Sequence, residues 1–439
     1  MYFIFHLGLF IEDPANKQLE QLDTVNIGKR GEGGSIEMLS FLRNKVFPIG
    51  VDQGSFSLKM AQLARKGDGL ELVAAACAEV PQELRSCPAA LQEWSIETVK
   101  ELLSSKPFKG RKVVCCLASR ELLIQHLRVP KMDEQQLEKA LPFEAQTKVP
   151  FNITQGRLCY VVAGEVYEGS DSKLEVILMA ASAGVVARNL NLVERTKLEI
   201  ESIEVEPYAL VSCFSHLLER SKTEADGTMF VDLGHSCSKV VITHGRDIVF
   251  CRTLSIGAAH LLRAISEKLS VDYQKAMELL FRLDEESAQE AKSGWENTGT
   301  EKVGLKGAAS SKVKRASSAE QVATLTVEEE DDPVQVDAPT AIEATLQCMG
   351  DELRGCIRYH DMMFTTQPTK RVIFVGGQSK NMFLCRRLAQ KLGLPAQLAD
   401  PLARVERSSL TGPHSDIKTD EPSSDWAVAI GLSMSGRET

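Results

Sequence analysis

The chain has 439 residues, 43% of them apolar and 25% charged, a composition typical of a globular protein with two or three packed domains. Its net charge of −9 argues against a nucleic-acid-binding surface, because such surfaces are basic. The eleven cysteines contain no Cys-x-x-Cys pair and no zinc-type cluster, and their scatter indicates a reducing compartment. No stretch reaches the roughly 18 consecutive apolar residues that a membrane-spanning helix needs.

Residues 1–37 differ from the rest of the chain. An apolar run from Met1 to Ile11 leads at once into acidic residues and then into a polar, glycine-rich stretch. Because no basic segment precedes the apolar run, it is a poor secretory signal. We expect residues 1–37 to be a disordered extension, or to precede a natural start at Met38.

The first strongly patterned segment is a hairpin over residues 47–63. An apolar strand ends in an Asp-x-Gly-Ser turn, and an alternating strand follows. Such a turn can bring backbone N–H groups against a phosphate, because glycine has no Cβ, and Asp52 could hold Mg²⁺ through water. An ordinary hairpin turn has the same sequence. If the turn is a phosphate loop, its phosphate-binding residues are Gly54, Ser55, Ser57 and Lys59.

Further strands and helices are predicted up to residue 204. Alternation predicts a strand at 70–80, apolar spacing predicts a helix at 95–104 capped by Ser95, and an apolar run predicts a buried strand at 113–118. We expect these elements to form one half-domain together with the hairpin. Residues 126–204 are predicted to form a separate helix–strand–strand–helix module, whose first helix is capped by Asp133.

A second hairpin with the same pattern begins at Met229. Its first strand ends in an Asp-x-Gly turn, and strands follow at 239–243 and 248–253. Two such hairpins about 180 residues apart suggest two related half-domains that face one ligand. We predict that Asp232 holds Mg²⁺ through water. The predicted phosphate contacts of this turn are Gly234, His235 and Ser236.

The carboxyl-terminal part contains a low-complexity insert and a third candidate loop. Residues 284–338 have too few large apolar side chains to offset the entropy of ordering, so we predict a disordered insert. Later, an apolar strand ends in Gly376-Gly377 before a helix, where a flat adenosine could lie against the backbone. Asp425 is predicted to cap a last helix over 426–434.

Two strand–Asp-x-Gly loops followed by a strand–Gly-Gly loop resemble the nucleotide-binding loops of the actin/Hsp70/sugar-kinase superfamily. In actin-like proteins a lysine follows the first Asp by seven residues, as Lys59 follows Asp52. Within the superfamily the chain resembles the PilM family of type IV pilus assembly proteins, relatives of FtsA. Segments 127–151, 252–257 and 426–432 carry this resemblance. The departures are Gln53, the pair Ala258-Ala259 and the long insert.

The resemblance implies an α/β, actin-like (ribonuclease-H-like) two-domain fold with an extra small α+β subdomain, called IC. It implies a cytoplasmic scaffold that binds ATP and Mg²⁺, hydrolyses ATP slowly at most, and lies at the inner membrane through a partner. That partner is the N-terminal cytoplasmic tail of a PilN-like bitopic membrane protein, bound in a groove near Arg128, Glu144 and Phe151. The expected divisions are 1–37, 38–125 (subdomain IA), 126–204 (IC), 205–283, 284–338, 339–423 and 424–439.

Alternatives remain open at this stage. A filament-forming FtsA-like protein would need a carboxyl-terminal amphipathic membrane helix, and only five residues follow Met434. A small-molecule kinase of the superfamily would need a sugar pocket, for which residues 126–204 carry no signature. The cytoplasmic half of a type II secretion scaffold would be followed by a transmembrane segment. A Walker A sequence, which the pilus motor ATPase requires, is absent.

Overall fold

The computed structural model describes residues 45–67, 69–151, 156–218, 226–294, 334–419 and 423–436, without the side chains of 285–294 and 334–337. The predicted extension 1–37 lies outside the described residues, as does 295–333 of the predicted insert. The strands are β1 (Ile49–Gln53), β2 (Ser57–Lys66), β3 (Gly69–Glu79), β4 (Lys112–Leu117), β5 (Leu123–Pro130), β6 (Gly156–Glu168), β7 (Asp171–Ser182), β8 (Glu199–Val205), β9 (Gly227–Leu233), β10 (Ser238–His244), β11 (Asp247–Leu254), β12 (Thr369–Val375) and β13 (Ala396–Leu398). The helices are α1 (Pro88–Ser105), α2 (Glu134–Gln146), α3 (Ala183–Arg195), α4 (Glu206–Leu218), α5 (Ala258–Leu269), α6 (Tyr273–Gly294), α7 (Val334–Met363), α8 (Met382–Leu392) and α9 (Ala427–Ser435).

Two five-stranded sheets share one topology. The first has the order β3-β2-β1-β4-β8 and the second β11-β10-β9-β12-β13. In each sheet an antiparallel hairpin is followed by two parallel strands on its far side. The two predicted half-domains are therefore confirmed as strand-for-strand counterparts. In the register of the first hairpin Asp52 faces Lys59, and in the second Asp232 faces Lys239.

A third, three-stranded sheet forms the small module. Its order is β5-β7-β6, all antiparallel, and helix α2 packs on one face through Leu137, Leu141 and Ala145. The predicted cap is confirmed, because Asp133 accepts a hydrogen bond from the Gln136 amide in a capping box. Strand β8 pairs with β4, and α3 packs on β4, so these two elements lie with the first sheet although the expected module extended to residue 204.

The chain returns to the first domain after β13. Leu70 bridges to Val405 and Ala75 to Ser415, and the intervening apolar side chains are buried in the first domain's core. Helix α9 then packs on α4 and β1. The segment expected as one unit, 339–423, is thus divided between the two domains. Isolated bridges carry no periodicity, so the sequence pattern does not disclose this return.

Several predicted boundaries change. Helix α1 begins at Pro88, where the fixed φ of proline suits the first turn, and Ser95 lies inside the helix with its hydroxyl donating to the Leu91 carbonyl. The predicted cap at Ser95 is therefore wrong. Helices α6 and α7 extend into the predicted insert, to Gly294 and from Val334. Across the described ranges, no helix combines the length and apolar content needed to cross a bilayer.

The small module touches the second domain through a buried carboxylate. Glu175 on β7 is 1% exposed and accepts a hydrogen bond from the Tyr359 hydroxyl of α7 at 2.7 Å. His126 and Arg128, from the neighbouring strand β5, contact the same carboxylate at 2.9 and 3.2 Å. Burial alone would raise the pKa of Glu175, but the bonds from His126 and Tyr359 lower it. A charged group therefore joins the module to α7.

We predict that Tyr359→Phe lowers the stability of the protein by about 1–3 kcal/mol, the usual effect of removing a hydrogen bond to a buried charged group. Thermal or denaturant unfolding measures the change. The matched control is Tyr167→Phe, because Tyr167 is 72% exposed. Equal unfolding midpoints for Tyr359→Phe and the wild type would contradict a stabilising role for this contact.

Candidate functional site

A cleft of about 510 Å³ lies between the two domains. The two hairpin turns, the Gly-Gly turn after β12 and the start of α9 form its walls. All eleven residues singled out from the sequence line it, although they come from three motifs far apart in the chain. These residues are Asp52, Gly54, Ser55, Ser57, Lys59, Asp232, Gly234, His235, Ser236, Gly376 and Gly377.

The two hairpin turns have the compact shape expected of them. A Cβ on Gly54 would lie 2.9 Å from the Ser57 carbonyl oxygen, and one on Gly234 would lie 2.5 Å from that of Cys237. Both glycines are therefore required by close backbone approach. The Gly54 N–H donates to the Ser57 carbonyl at 3.0 Å. In this conformation that amide closes the turn, and the prediction that the turn binds a phosphate stays a prediction.

The Gly-Gly turn lies directly against the second hairpin. Gly376 has φ +88°, and a Cβ there would lie 2.0 Å from Oδ1 of Asp232. Its amide donates to the Ser424 carbonyl at 3.1 Å. By contrast, a Cβ on Gly377 would meet nothing within 4 Å. The first glycine thus brings the turn and the Asp232 carboxylate together, whereas the second leaves open space beside the cleft.

A buried lysine connects the two domains inside the cleft. Lys239 Nζ lies 3.0 Å from Asp232 Oδ2 on its own hairpin and 3.1 Å from Glu206 Oε2 at the start of α4 in the first domain. Glu206 also accepts a short hydrogen bond from the Ser119 hydroxyl. Burial would lower the pKa of Lys239, but Asp232 and Glu206 raise it well above its ordinary value. Lys239 is therefore charged at neutral pH.

The carboxylates in the cleft outnumber this cation. Burial raises the pKa of Asp52, an effect that Lys59 and Lys239 offset in part. Burial likewise raises the pKa of Glu206, with Lys239 opposing and Asp232 and Asp52 adding to the shift. Both shifts are caused mainly by desolvation, and the neighbouring carboxylates add to them.

The carboxylates fit Mg²⁺ held through water rather than directly. Oxygen ligands suit Mg²⁺, which usually keeps several waters. Within the described ranges, no three His, Cys, Asp or Glu side chains converge closely enough to hold a metal ion themselves. Asp52 and Asp232 nevertheless line one cleft from opposite domains, so both could contact the water shell of one cation.

Lys59 has a partner that the sequence does not suggest. Its Nζ lies 2.8 Å from Asp425 Oδ2 and donates to the Asp425 carbonyl at 2.9 Å. The prediction that Asp425 caps the last helix is wrong, because α9 begins at Ala427 and no side-chain cap is formed there. The Asp425 carboxylate is engaged by lysines instead.

His235 lies in the cleft without a charge. Its ring faces that of Phe56 across the two hairpins, with centroids 5.2 Å apart. Burial, together with Arg85 and His260, lowers its pKa to about 4. A phosphate contact from His235 at neutral pH would therefore be a neutral hydrogen bond.

Three site residues escaped the sequence reasoning: Glu206, Lys239 and Asp425. Lys239 carries a readable signal, since it follows Asp232 by the same seven residues that separate Lys59 from Asp52. Glu206 precedes a proline at a helix start, which is a weaker signal. For Asp425 the sequence pattern points to a helix cap, and only the fold brings Lys59 to it.

We predict that Gly376→Ala destabilises the protein by more than about 2 kcal/mol, because a left-handed backbone strains alanine and its Cβ would displace Asp232. Gly377→Ala, one residue on, has free space and should cost less than about 1 kcal/mol. Thermal unfolding of both variants measures the difference. Similar losses in the two variants would show that the close approach to Asp232 is not what requires Gly376.

Comparison with known proteins agrees with this architecture. A family model described as type IV pilus assembly protein PilM matches residues 50–281, a little over half of the chain. The structure of a PilM-PilN type IV pilus biogenesis complex aligns with 90% of this chain and 100% of its own, with 20% identity and a TM-score of 0.63. Ethanolamine utilization protein EutJ from Carboxydothermus hydrogenoformans aligns with 96% of this chain and 98% of its own, with 12% identity and a TM-score of 0.45.

The first of these structures is similar enough to establish a shared fold at low identity, and the family model covers both Asp-x-Gly hairpins and the small module between them. The chain therefore has the actin-like fold expected from its sequence and belongs to the PilM family of type IV pilus assembly proteins.

Proposed function

We propose that the chain is a nucleotide-dependent scaffold of a type IV pilus inner-membrane assembly complex. It binds ATP with Mg²⁺ in the interdomain cleft and the N-terminal cytoplasmic tail of a PilN-like membrane protein in a groove beside the small module. The convergence of three separate sequence motifs on one cleft is the observation that supports nucleotide binding most strongly. Family membership favours this function over a filament protein or a small-molecule kinase.

The chemistry of the cleft suits a nucleoside triphosphate with a divalent cation. The hairpin turns supply hydroxyls and backbone amides from both domains, and lysines lie beside them. Asp52 and Asp232 hold Mg²⁺ through water, which neutralises the excess of carboxylates. Gly377, the second glycine after β12, leaves the backbone open toward the base. Each group acts on a different part of the nucleotide, so binding draws the two domains together.

Turnover in this site is slow. Glu206 is the carboxylate best placed to accept a proton from an attacking water, because it lines the cleft at the domain boundary. Its Oε2, however, is held by both Lys239 and Ser119. A carboxylate that already accepts two hydrogen bonds is a poor general base until those bonds rearrange. The ATP-bound state is therefore long-lived, as a switch between two nucleotide states requires.

The identity of the proposed partner is inferred from the family and from the structural match. The matched structure is described as a PilM-PilN complex, so a PilN-like protein is the natural candidate. The expected groove lies near Arg128, Glu144 and Phe151. On α2, Glu144 is exposed, and its neighbour Phe143 is 76% exposed, so this helix offers both charge and apolar surface. Nucleotide binding changes partner affinity to the extent that the nucleotide prefers one domain arrangement.

We predict saturable binding of a fluorescent ATP analogue that strengthens with Mg²⁺ and falls at least about tenfold in Asp232→Ala, since a tenfold change is about 1.4 kcal/mol. Equilibrium titration of the full chain measures it. Asp247→Ala is the matched control, because Asp247 is an exposed residue at the start of β11, the strand that pairs with the other edge of β10.

Absence of wild-type binding at millimolar nucleotide would contradict the proposed site. Equal losses in Asp232→Ala and Asp247→Ala would show that the effect is not specific to the cleft.

We also predict that a synthetic peptide with the N-terminal cytoplasmic sequence of the organism's PilN-like protein binds the chain. The affinity should change at least about threefold with saturating ATP and Mg²⁺, a coupling typical of two-site systems. Glu144→Lys should weaken the complex, whereas Gln135→Lys, an equally exposed position earlier on α2, should not.

Calorimetry or fluorescence anisotropy with a scrambled peptide as the reference measures the affinities. If ATP binds but leaves peptide affinity unchanged, the scaffold is not switched by nucleotide.

A further inference from the structure

Asp425 occupies an unusual position in the cleft. Its two carboxylate oxygens each face a lysine: Oδ2 lies 2.8 Å from Nζ of Lys59, and Oδ1 lies 3.0 Å from Nζ of Lys380. Lys59 belongs to β2 of the first domain, whereas Lys380 follows the Gly-Gly turn of the second. One carboxylate therefore bridges two cations from opposite walls of the cleft.

This ion pair is enclosed by the protein. The side chains of Lys59 and Asp425 are 9% and 11% exposed. The Lys59 ammonium also lies 5.7 Å from the ring centre of Trp426, the residue that follows Asp425. Burial alone would raise the pKa of Asp425, but Lys59 and Lys380 lower it, so the carboxylate is charged at neutral pH. Enclosed pairs of this kind are screened weakly by salt.

We propose that Asp425 is an internal competitor of the nucleotide phosphates. It holds Lys59 and Lys380, and a phosphate chain must compete with it for these lysines. This inference rests on the proposed nucleotide site and adds its regulation. Lys59 already donates to both the carboxylate and the carbonyl of Asp425, so two of its three N–H donors are used. A phosphate oxygen makes the same charge-assisted bond as a carboxylate, and the two anions repel each other, so they compete for this ammonium group.

The competition lowers the apparent affinity for nucleotide. When a site is competent only in the fraction of molecules with Asp425 displaced, the apparent dissociation constant is the intrinsic one divided by that fraction. Adenosine carries no phosphate and does not need the lysines. The effect of Asp425 should therefore appear with ATP and be absent with adenosine, which separates displacement from a general loosening of the cleft.

The test is a titration of wild type, Asp425→Asn and Asp425→Ala with ATP and with adenosine, in Mg²⁺ at one ionic strength. Both variants should bind ATP about tenfold more tightly than the wild type and adenosine equally well. Glu79→Gln is the control for removing one negative charge near the cleft, because Glu79 lines the same cleft and pairs with Arg85 rather than with these lysines. Thermal unfolding verifies that each variant is folded.

Unchanged or weaker ATP binding in folded Asp425→Asn would overturn the inference while leaving the nucleotide site intact. Equal gains in Glu79→Gln would overturn it as well, because the effect would then be general electrostatics. Tighter ATP binding by Asp425→Asn and Asp425→Ala, with unchanged adenosine binding and unchanged ATP binding by Glu79→Gln, would support it. If no variant binds ATP, the proposed nucleotide site itself fails, and the inference with it.

Discussion

The structure depends on a lysine that is buried where the two domains meet. Desolvating an ammonium group is costly unless its countercharges are in place, so Lys239 constrains both Asp232 on its own hairpin and Glu206 in the first domain. The strand pairing fixes the positions of the two charges, because the antiparallel register puts Asp232 and Lys239 opposite each other. Removing either carboxylate would leave a poorly compensated charge at the domain boundary.

A second polar contact joins the domains away from the cleft. The Glu175 carboxylate of the small module accepts a hydrogen bond from Tyr359 on α7. His126, on the adjacent strand, lies 3.1 Å from the Cys251 carbonyl of β11. Any rotation of the second domain must therefore either break this buried cluster or carry the module with it. Since unpaired buried charges are costly, the module is mechanically coupled to the second domain. The proposed partner groove borders that same module.

Much of this architecture could be predicted from the sequence, because it depends on patterns among neighbouring residues. The alternation around two Asp-x-Gly turns predicted the paired hairpins, and Asp133 predicted the start of α2. What could not be predicted depends on contacts distant in sequence. The return of residues 405–415 to β3 is made through two isolated bridges. Asp425 looked like a helix cap, because nothing near it in sequence discloses Lys59, which lies 366 residues away.

The proposed binding of a polyanion has to be reconciled with the carboxylates that line the cleft. Lys59 and Lys239, one on each hairpin, both face a carboxylate within 3.0 Å. The charges of a bare lysine cluster would repel one another and would attract any anion, whereas lysines paired with carboxylates hold the walls of the cleft together. Under the proposed function, Mg²⁺ would neutralise the carboxylates while phosphates replaced them at the lysines, so the cleft would discriminate a metal–nucleotide complex from simple anions. This exchange of partners, made across two domains at once, would convert binding into a change of domain contacts.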